Sequence, residues 1–544
     1  MSLVSRWPGH PVSHLRMGTR RAASAAFAVV LLGLTACGGS TSSTPSSATT
    51  AASGSATQSS GSSQAAAAPS TLIVDLQGDA ATLDPGKQYD TNSYDVYRNI
   101  FDNLLQRDPT TGAIGPDIAT AWKSASPTEW QFTIRSDVKF SNGDPLTAAD
   151  AAFSINRILD KTFNSPQYAN FSAIKSATAA SPTELDIMTS APYPALLAQL
   201  VNLSIVPQKY VQANPGTYFN EHPVGTGPYE LAQWVKGDHV TLKANPDYWN
   251  GKPYFANVTF RAVPEDATRV ADLQSGKAQL ALGLTSDDAP AIKSAPNLQL
   301  LTGPTERVAY MAFNALGPSP LKDVRLREAI AYAIDTKSLI DNLLSGYGKQ
   351  VPELLTPLHV GYDPKIPGYP YDPAKAKQLL AAAGDSSGLN LTFTTSPTYD
   401  QRIVQAIQGE LQQVGVTVKI QSYDFATYLN KVQSPQHNWG DLRFGQWSCA
   451  CLDADGVIYP LFHTGSIWSS YSDPVFDKAV DAARSTLDPA QRTADYATAL
   501  EILQKDVPAV ALWQVVDLYG AAKQLKWQPT PDEQLFVDHM GWTQ

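Results

Sequence analysis

The pattern of hydrophobic and polar positions divides the chain into a leader, a polar stretch and a long body. An apolar run from Ala22 to Leu34 follows a segment with four Arg and no acidic residue, and Cys37 comes three residues after it. The run is shorter than the about 20 apolar residues of a membrane-spanning helix, so this order is typical of a secretory signal peptide. Residues 38–70 carry no charge and consist mainly of Ser, Thr, Ala and Gly, a composition that favours a disordered tether.

The body, residues 71–544, alternates between strand-like and helix-like patterns. Residues 130–135 alternate apolar and polar side chains, which indicates a half-buried strand. Residues 324–344 place apolar side chains on one face, and we predict one long helix there. Asp-Pro pairs at 372–373, 473–474 and 488–489 are typical of a helix N-cap followed by a first-turn Pro. The alternation predicts an α/β fold, and the length predicts two lobes or more.

Composition and charge exclude one large class of partner. The chain is 43% hydrophobic, which is ordinary for a globular protein, and its net charge is -10. The leader carries four Arg and no Asp or Glu, so its removal leaves a net charge of -14. Nucleic acid binding relies on Lys and Arg to neutralise phosphates. We therefore predict no nucleic acid partner for this acidic body.

Motifs for catalysis or metal binding are missing from the sequence. Residues 384–388 spell Gly-x-Ser-x-Gly, but a predicted helix precedes them and a predicted strand follows, which is the reverse of a nucleophile elbow. The sequence contains no His-Glu-x-x-His, and the six His of the body have no metal-ligand spacing. We predict a protein that is not an enzyme and that needs no cofactor or metal; a tethered hydrolase is the disfavoured alternative.

The body contains two cysteines, Cys449 and Cys451, separated by one residue. Outside the cytoplasm such a pair can be oxidised, but a disulfide across one residue requires a bent backbone. The sequence leaves two interpretations open, a strained disulfide or two buried thiols, with a metal site well behind both.

Several motifs in the body resemble one protein family. They are residues 130–150, the Pro-Val-Gly-Thr-Gly-Pro-Tyr of 223–229, residues 313–335, and residues 371–384. In order and spacing they resemble the extracytoplasmic solute-binding proteins of ABC importers, in the oligopeptide, dipeptide and nickel-binding family (family 5). The resemblance covers essentially all of residues 71–544.

The resemblance implies a two-lobed periplasmic-binding-protein fold of class II type, with an extra subdomain in lobe 1 and a ligand cleft between the lobes. Two strands should cross between the lobes near 308–314 and 509–516. The predicted organisation is a signal peptide (1–36), a lipidated Cys with a disordered linker (37–70), lobe 1 with its subdomain (71–312), lobe 2 (313–512) and a return to lobe 1 (513–544).

The resemblance also implies a function. Such a protein captures a peptide or peptide-like solute and delivers it to ABC permease and ATPase subunits. The alternatives are a non-peptide ligand (a nickel chelate, a sugar or an amino-acid conjugate) and a sensor that presents its ligand to a membrane receptor. Leu34-Thr35-Ala36-Cys37 resembles a bacterial lipobox, which implies that Cys37 is lipidated and anchors a monomer outside the cytoplasm, in the periplasm or at the cell surface.

The implied ligand residues lie mainly in the segment 446–455. In peptide-binding members a Trp stacks on the ligand and an Asp three residues later receives its α-amine; here Trp447 matches the Trp, but Ala450 replaces the Asp. Asp453 or Asp455 would then substitute, or the ligand has no amine there. For both aspartates, capping of the loop is the competing interpretation, and for the tyrosines it is core packing. The further candidates are Ser448, Cys449, Cys451, Tyr89, Asn92, Tyr94, Tyr399 and Arg402.

Overall fold

We analysed a computed structural model, which describes residues 71–543 apart from 89, 110, 386 and 387. The predicted signal peptide, tether and lipidated Cys37 lie outside the described residues, and so does Tyr89. The strands of the described part are, in chain order, β1 (Thr71–Leu76), β2 (Leu105–Arg107), β3 (Ile114–Pro116), β4 (Ala119–Ser126), β5 (Glu129–Ile134), β6 (Ile174–Ser181), β7 (Glu184–Thr189), β8 (Tyr229–Val235), β9 (His239–Ala244), β10 (Asn257–Ala262), β11 (Leu280–Leu284), β12 (Leu298–Phe313), β13 (Gly348–Gln350), β14 (Leu389–Thr395), β15 (Val416–Ser422), β16 (Leu442–Trp447), β17 (Ala509–Ala522), β18 (Leu525–Lys526) and β19 (Gly541–Trp542).

Helices alternate with these strands through the body. They are α1 (Thr91–Tyr97), α2 (Ala148–Leu159), α3 (Tyr168–Phe171), α4 (Leu196–Leu200), α5 (Gln208–Ala213), α6 (Thr217–Glu221), α7 (Asp266–Ser275), α8 (Ala289–Ser294), α9 (Val324–Tyr332), α10 (Thr336–Leu343), α11 (Pro373–Ala382), α12 (Gln401–Gln413), α13 (Phe425–Val432), α14 (Asp455–Phe462), α15 (Pro474–Ser485) and α16 (Pro489–Asp506), with 3₁₀ turns at Pro320–Lys322 and Val537–His539.

One mixed sheet runs through both lobes, in the order β15-β14-β16-β12-β17-β11-β1-β10-β9-β8, and β13 also pairs with β17. The β14–β16 end packs its apolar face against α9 to α12, around Phe393, Leu411 and Phe444. The β8–β11 end builds a separate core around Leu72, Phe255 and Phe260. The long strands β12 and β17 join the two halves, so the fold has two α/β lobes with separate cores.

The two crossing strands are paired on both sides of a break. Residues 298–304 of β12 pair with 516–522 of β17, and residues 308–312 pair with 509–514. Between these ladders Thr305, Glu306 and Arg307 lie opposite Val515, so β12 bulges there. The second ladder agrees with the predicted crossing. The predicted lobe boundaries stay a proposal, and the bulge is the break in the crossing strand that supports them.

A second sheet, in the order β4-β5-β7-β6, forms a subdomain with α2. The predicted strand at 130–135 is β5, and its partly covered face packs toward α2. Helix α2 begins with a capping box, in which Thr147 and Asp150 satisfy each other's backbone N–H groups. The glycine-rich motif at 223–229 lies against the main chain of Ile100: Gly227 donates to its carbonyl at 2.9 Å, and a Cβ at Gly227 would meet that carbonyl carbon at 2.6 Å.

The prediction of one long helix over 324–344 is wrong. The structure has two helices, α9 and α10, which are separated at residues 333–335. The break is local in origin, because the carboxylate of Asp335 accepts from Ser338 N and caps a new helix. Helices α11, α15 and α16 begin at the predicted Asp-Pro pairs, and in each the Asp side chain accepts a first-turn backbone N–H.

Candidate functional site

The bulge in β12 places two ionisable side chains, Glu306 and Arg307, at the junction of the lobes. Bulges re-aim side chains that would otherwise follow the pleat of the sheet. The carboxyl of Glu306 accepts from the backbone N–H of Ala450 in lobe 2, while Glu306 N donates to Pro531 O at 2.9 Å. Glu306 is 1% exposed. One buried carboxyl therefore ties the crossing strand to the segment that follows Trp447.

The neighbouring residue, Arg307, points toward the C-terminal segment of the chain. Its Nε donates to Glu533 Oε1 at 2.9 Å, and its Nη2 forms a second, short bond to Glu533 Oε2. The Arg307 side chain stays 26% exposed although the pair lies deep in the molecule. Glu533 has a φ of 57°, the left-handed region that non-glycine residues seldom adopt. Such backbone conformations concentrate at functional sites.

A buried histidine faces the free oxygen of Glu306. Thr356 N donates to His359 Nδ1 at 3.1 Å, so the ring proton is on Nε2, which lies 3.6 Å from Glu306 Oε2. Burial lowers the pKa of His359 to about 4, so this imidazole is neutral at pH 7. Burial, with a contribution from Glu533, raises the pKa of Glu306 to about 8.

Trp447 ends β16 at the start of the predicted ligand segment. Its indole N–H donates to Gly456 O at 2.9 Å, and its ring meets Trp468 edge-on with centroids 5.1 Å apart. The side chain is half-buried, as is the adjacent Ser448. The ring is thus held in a fixed orientation while part of its surface stays open.

Cys449 and Cys451 form a disulfide, with their Cα atoms 5.2 Å apart. The backbone bends as such a short ring requires, since Ala450 and Leu452 both have a φ of 52°. The sulfurs rest on the backbone of Gly456, where any Cβ would overlap both of them. Of the two interpretations that the sequence left open, the structure has the disulfide.

Asp453 and Asp455 are both occupied by arginines of lobe 2. Arg492 binds Asp453 with two bonds of 2.7 and 2.8 Å, and both side chains are buried. Arg484 Nε lies 2.6 Å from Asp455 Oδ1. These contacts match the competing interpretation, in which the two aspartates order the loop.

Lobe 1 reaches the same loop through two side chains. Arg107 at the end of β2 donates to Cys451 O at 2.8 Å. The Tyr193 hydroxyl donates to Asp455 Oδ2 at 2.7 Å. These bonds join the two walls of the cleft next to the disulfide.

Of the remaining predicted site residues in the described part of the chain, three are half-buried and one is exposed. Tyr94 and Tyr399 are half-buried, one on each lobe. Burial raises the pKa of each phenol, and the positive charge of Arg307 offsets part of that rise in both. Tyr399 also packs edge-on against Phe444 at 5.2 Å. Asn92, half-buried at the start of α1, lies beside Gly78. Arg402 is exposed and bridges Asp400 and Asp287, so it lies at the rim of the cleft.

Sequence reasoning missed Glu306, Arg307, Arg107 and Glu533. One signal was visible: Thr305-Glu306-Arg307 interrupts an otherwise largely apolar strand, and buried charges without a local partner point to a site. Within residues 71–543, outside the four gaps, no group of three His, Cys, Asp or Glu is arranged to hold a metal ion.

Comparison with known proteins places this geometry in a class. A chain of known structure, the periplasmic binding protein DppA from Helicobacter pylori in complex with the peptide STSA, is 26% identical and superposes with a TM-score of 0.76 over 87% of this chain and 98% of that one. The agropinic acid complex of AgaA from A. tumefaciens R10 is also 26% identical, with a TM-score of 0.76 over 87% and 99%. The molecule therefore has the two-lobed fold of periplasmic binding proteins.

Residues 113–469 match the family described as bacterial extracellular solute-binding proteins, family 5. The glutathione-binding protein GsiB of Salmonella typhimurium is 29% identical over 458 residues, which cover 81% of this chain and 88% of that protein. The chain belongs to family 5 of the bacterial extracellular solute-binding proteins, the substrate-binding components of ABC importers. Across the described residues, none of the helices has the length and apolar character to span a membrane.

Proposed function

We propose that this protein binds a peptide or peptide-like solute between its two lobes and delivers it to an ABC permease. The observation that carries the proposal is the β12 bulge, where Glu306 reaches the Trp447 loop of lobe 2 and Arg307 reaches Glu533. A solute at this point touches both lobes, and a ligand that prefers the closed arrangement shifts the protein toward it. The chain performs no chemistry on the solute.

The contacts between the lobes stabilise the closed state. Arg107 and Tyr193 each donate one hydrogen bond across the cleft to the loop that carries the disulfide. Each of these bonds involves a charged group, and such hydrogen bonds contribute about 1.5–3 kcal/mol each, so the two contacts favour closure. Solute binding then provides the remaining free energy.

The class of solute follows from the Trp447 loop. Ala450 carries no carboxylate, and Asp453 and Asp455 are held by arginines, so this loop does not receive an ammonium group as peptide-binding members do. The open surface of Trp447 can still stack on a planar or apolar part of the solute. The relatives supply two model solutes, glutathione and agropinic acid, and we place a peptide first and a non-peptide solute second.

The N-terminal segment provides the link to the membrane. We propose cleavage before Cys37, lipidation of that residue, and tethering of a monomer by residues 38–70. A linker of this length and Ser/Gly-rich composition would span roughly 30 Å on average, which would keep the lobes near the permease and raise their effective concentration there. The Cys37→Ser variant should appear in the soluble rather than the membrane fraction.

Calorimetric titration of the purified full-length protein tests the solute assignment, with glutathione, the peptide STSA and agropinic acid as probes. We expect one of them to bind at a 1:1 ratio and to be recovered unchanged. Trp447→Ala should weaken that binding at least tenfold. Trp234→Ala is the matched control, because Trp234 is also half-buried and its indole N–H bonds to Asp79 at 3.0 Å, far from the loop.

Two results would contradict the proposal. Failure of all three probes to bind would exclude the peptide and conjugate classes, and chemical conversion of a bound probe would exclude a purely binding role. Equal loss of affinity in both Trp variants would remove Trp447 from the site.

A further inference from the structure

Three carboxyl groups lie together on the lobe 1 side of the hinge, and we name them the hinge acidic cluster: Asp95 of α1, Asp517 of β17 and Glu533. Burial raises the pKa of Asp95 well above its ordinary range, and the charges of Glu533 and Asp517 raise it further. The same neighbours act on Tyr519. The three carboxyls are therefore near enough to act on one another, and Arg98 partly offsets their effect on Asp95.

The cations around the cluster do not neutralise it. Arg307 is committed to Glu533 by two hydrogen bonds. Arg98 donates to Gln534 and Asn202, at 2.9 and 3.0 Å, and forms no ion pair of 4 Å or less within the described residues. Asp95 and Asp517 therefore remain without a paired cation in the described part of the chain.

Asp95 is the independent sign that this cluster serves a ligand. It is 1% exposed, and neither of its carboxyl oxygens has a hydrogen-bond partner in the described structure. Buried polar side chains without a partner are rare in folded proteins, because each one costs stability. Buried ionisable groups of this kind are enriched at functional sites.

Asp517 is the member of the cluster that a ligand can reach. It pairs with Gly303 next to the β12 bulge and is half-buried, whereas Asp95 is fully buried. Its one hydrogen bond in the described structure comes from the Tyr519 hydroxyl at 3.2 Å. Tyr94, also half-buried, is close enough for Asp95, Glu533 and Arg307 to act on its phenol. Carboxylates beside an aromatic ring are a favourable setting for an organic cation.

We propose that the hinge acidic cluster binds a positively charged group of the solute, an ammonium or a guanidinium, with Asp517 as its direct contact and Asp95 as a second, buried carboxyl of the cluster. This inference rests on the proposed capture of a peptide-like solute. It assigns the cation to lobe 1, whereas the acids of the lobe 2 loop are bound by Arg484 and Arg492.

The test compares probes that differ in charge but hardly in size. Tripeptides of alanine carry one Lys or one norleucine at each position in turn, and trialanine is compared with its N-acetyl form. We expect the full-length protein to bind the cationic member of one pair about 10- to 100-fold more tightly, the ratio that a charge-assisted hydrogen bond of about 1.5–3 kcal/mol provides. Asp517→Asn should bring that ratio near one while the neutral probe binds as before.

Two further variants make the result specific. Asp95→Asn should reduce the ratio less than Asp517→Asn, because Asp95 is buried and does not touch the solute. Asp287→Asn removes the same charge from the rim, where Asp287 pairs with Arg402 at 2.8 Å, and should leave the ratio unchanged.

A ratio near one for every pair in the wild-type protein would overturn the inference and leave the proposed function standing. So would an Asp517→Asn variant that retains the ratio. Failure of all probes, neutral and cationic, would instead contradict capture of peptides and the inference with it.

Discussion

The Asp453–Arg492 pair provides a test of whether Asp453 stabilises the Trp447 loop or binds the solute. Asp453 accepts two bonds from Arg492, and its Oδ1 also accepts from Asp455 N at 2.9 Å. The two side chains are 4% and 7% exposed. Asp453→Asn removes the negative charge and leaves the guanidinium buried without its partner, which costs about 3–5 kcal/mol for a pair of this kind.

The assay is urea unfolding, followed by both tryptophan fluorescence and circular dichroism, since coincident transitions justify conversion to a free energy. We expect a large fall in the midpoint for Asp453→Asn. The matched control is Asp137→Asn, which breaks an exposed pair with Arg135 and should cost less than about 1 kcal/mol. A variant with unchanged stability and a lost affinity for the solute would refute this reasoning and return Asp453 to the ligand.

Further predictions concern Glu306 and the loop that carries the Cys449–Cys451 disulfide. The pKa of Glu306 is raised to about 8 from 4.5. Between pH 4.5 and about 8 the folded protein therefore keeps a proton on this carboxyl that the unfolded chain releases. The free energy of unfolding falls as the pH rises through this range. Glu306→Gln should abolish this fall, worth at most about 1.4 kcal/mol per pH unit, and equal pH slopes in urea unfolding would contradict it. Alkylation of native protein without reductant should label neither Cys449 nor Cys451, and replacing both with Ser should cost about 1–2 kcal/mol for so small a ring; a labelled thiol excludes the disulfide. Gly456→Ala should lower stability by about 1–3 kcal/mol through overlap with the sulfurs, whereas Gly409→Ala in α12, with open space around its added methyl group, should raise it by about 0.5–1 kcal/mol; the same sign for both would refute the packing argument.

Local signals predicted the local structure well. The Asp-Pro pairs set the starts of α11, α15 and α16, and alternation marked β5. A signal of the same kind also explains the error at 324–344, where Asp335 is itself an N-cap within the apolar pattern. The family resemblance, confirmed by the comparisons, predicted the two-lobed fold that no local pattern defines.

The site was harder to predict because its partners are distant in sequence. Asp453 meets an arginine 39 residues away, and Arg307 meets Glu533 226 residues away. The position of Glu306 depends on a bulge, a break in register that arises from the pairing of two long strands. Trp447 came from the resemblance, whereas nothing in the spacing marked Arg107 or Asp517.

Hydrogen–deuterium exchange tests most directly the claim that a solute is held between the lobes. Exchange would be compared with and without the tightest-binding probe, at saturation. We expect simultaneous protection of α1 in lobe 1, residues 305–307 at the crossing, and residues 446–455 in lobe 2. Protection confined to one lobe, with the crossing strand unchanged, would contradict capture between the lobes.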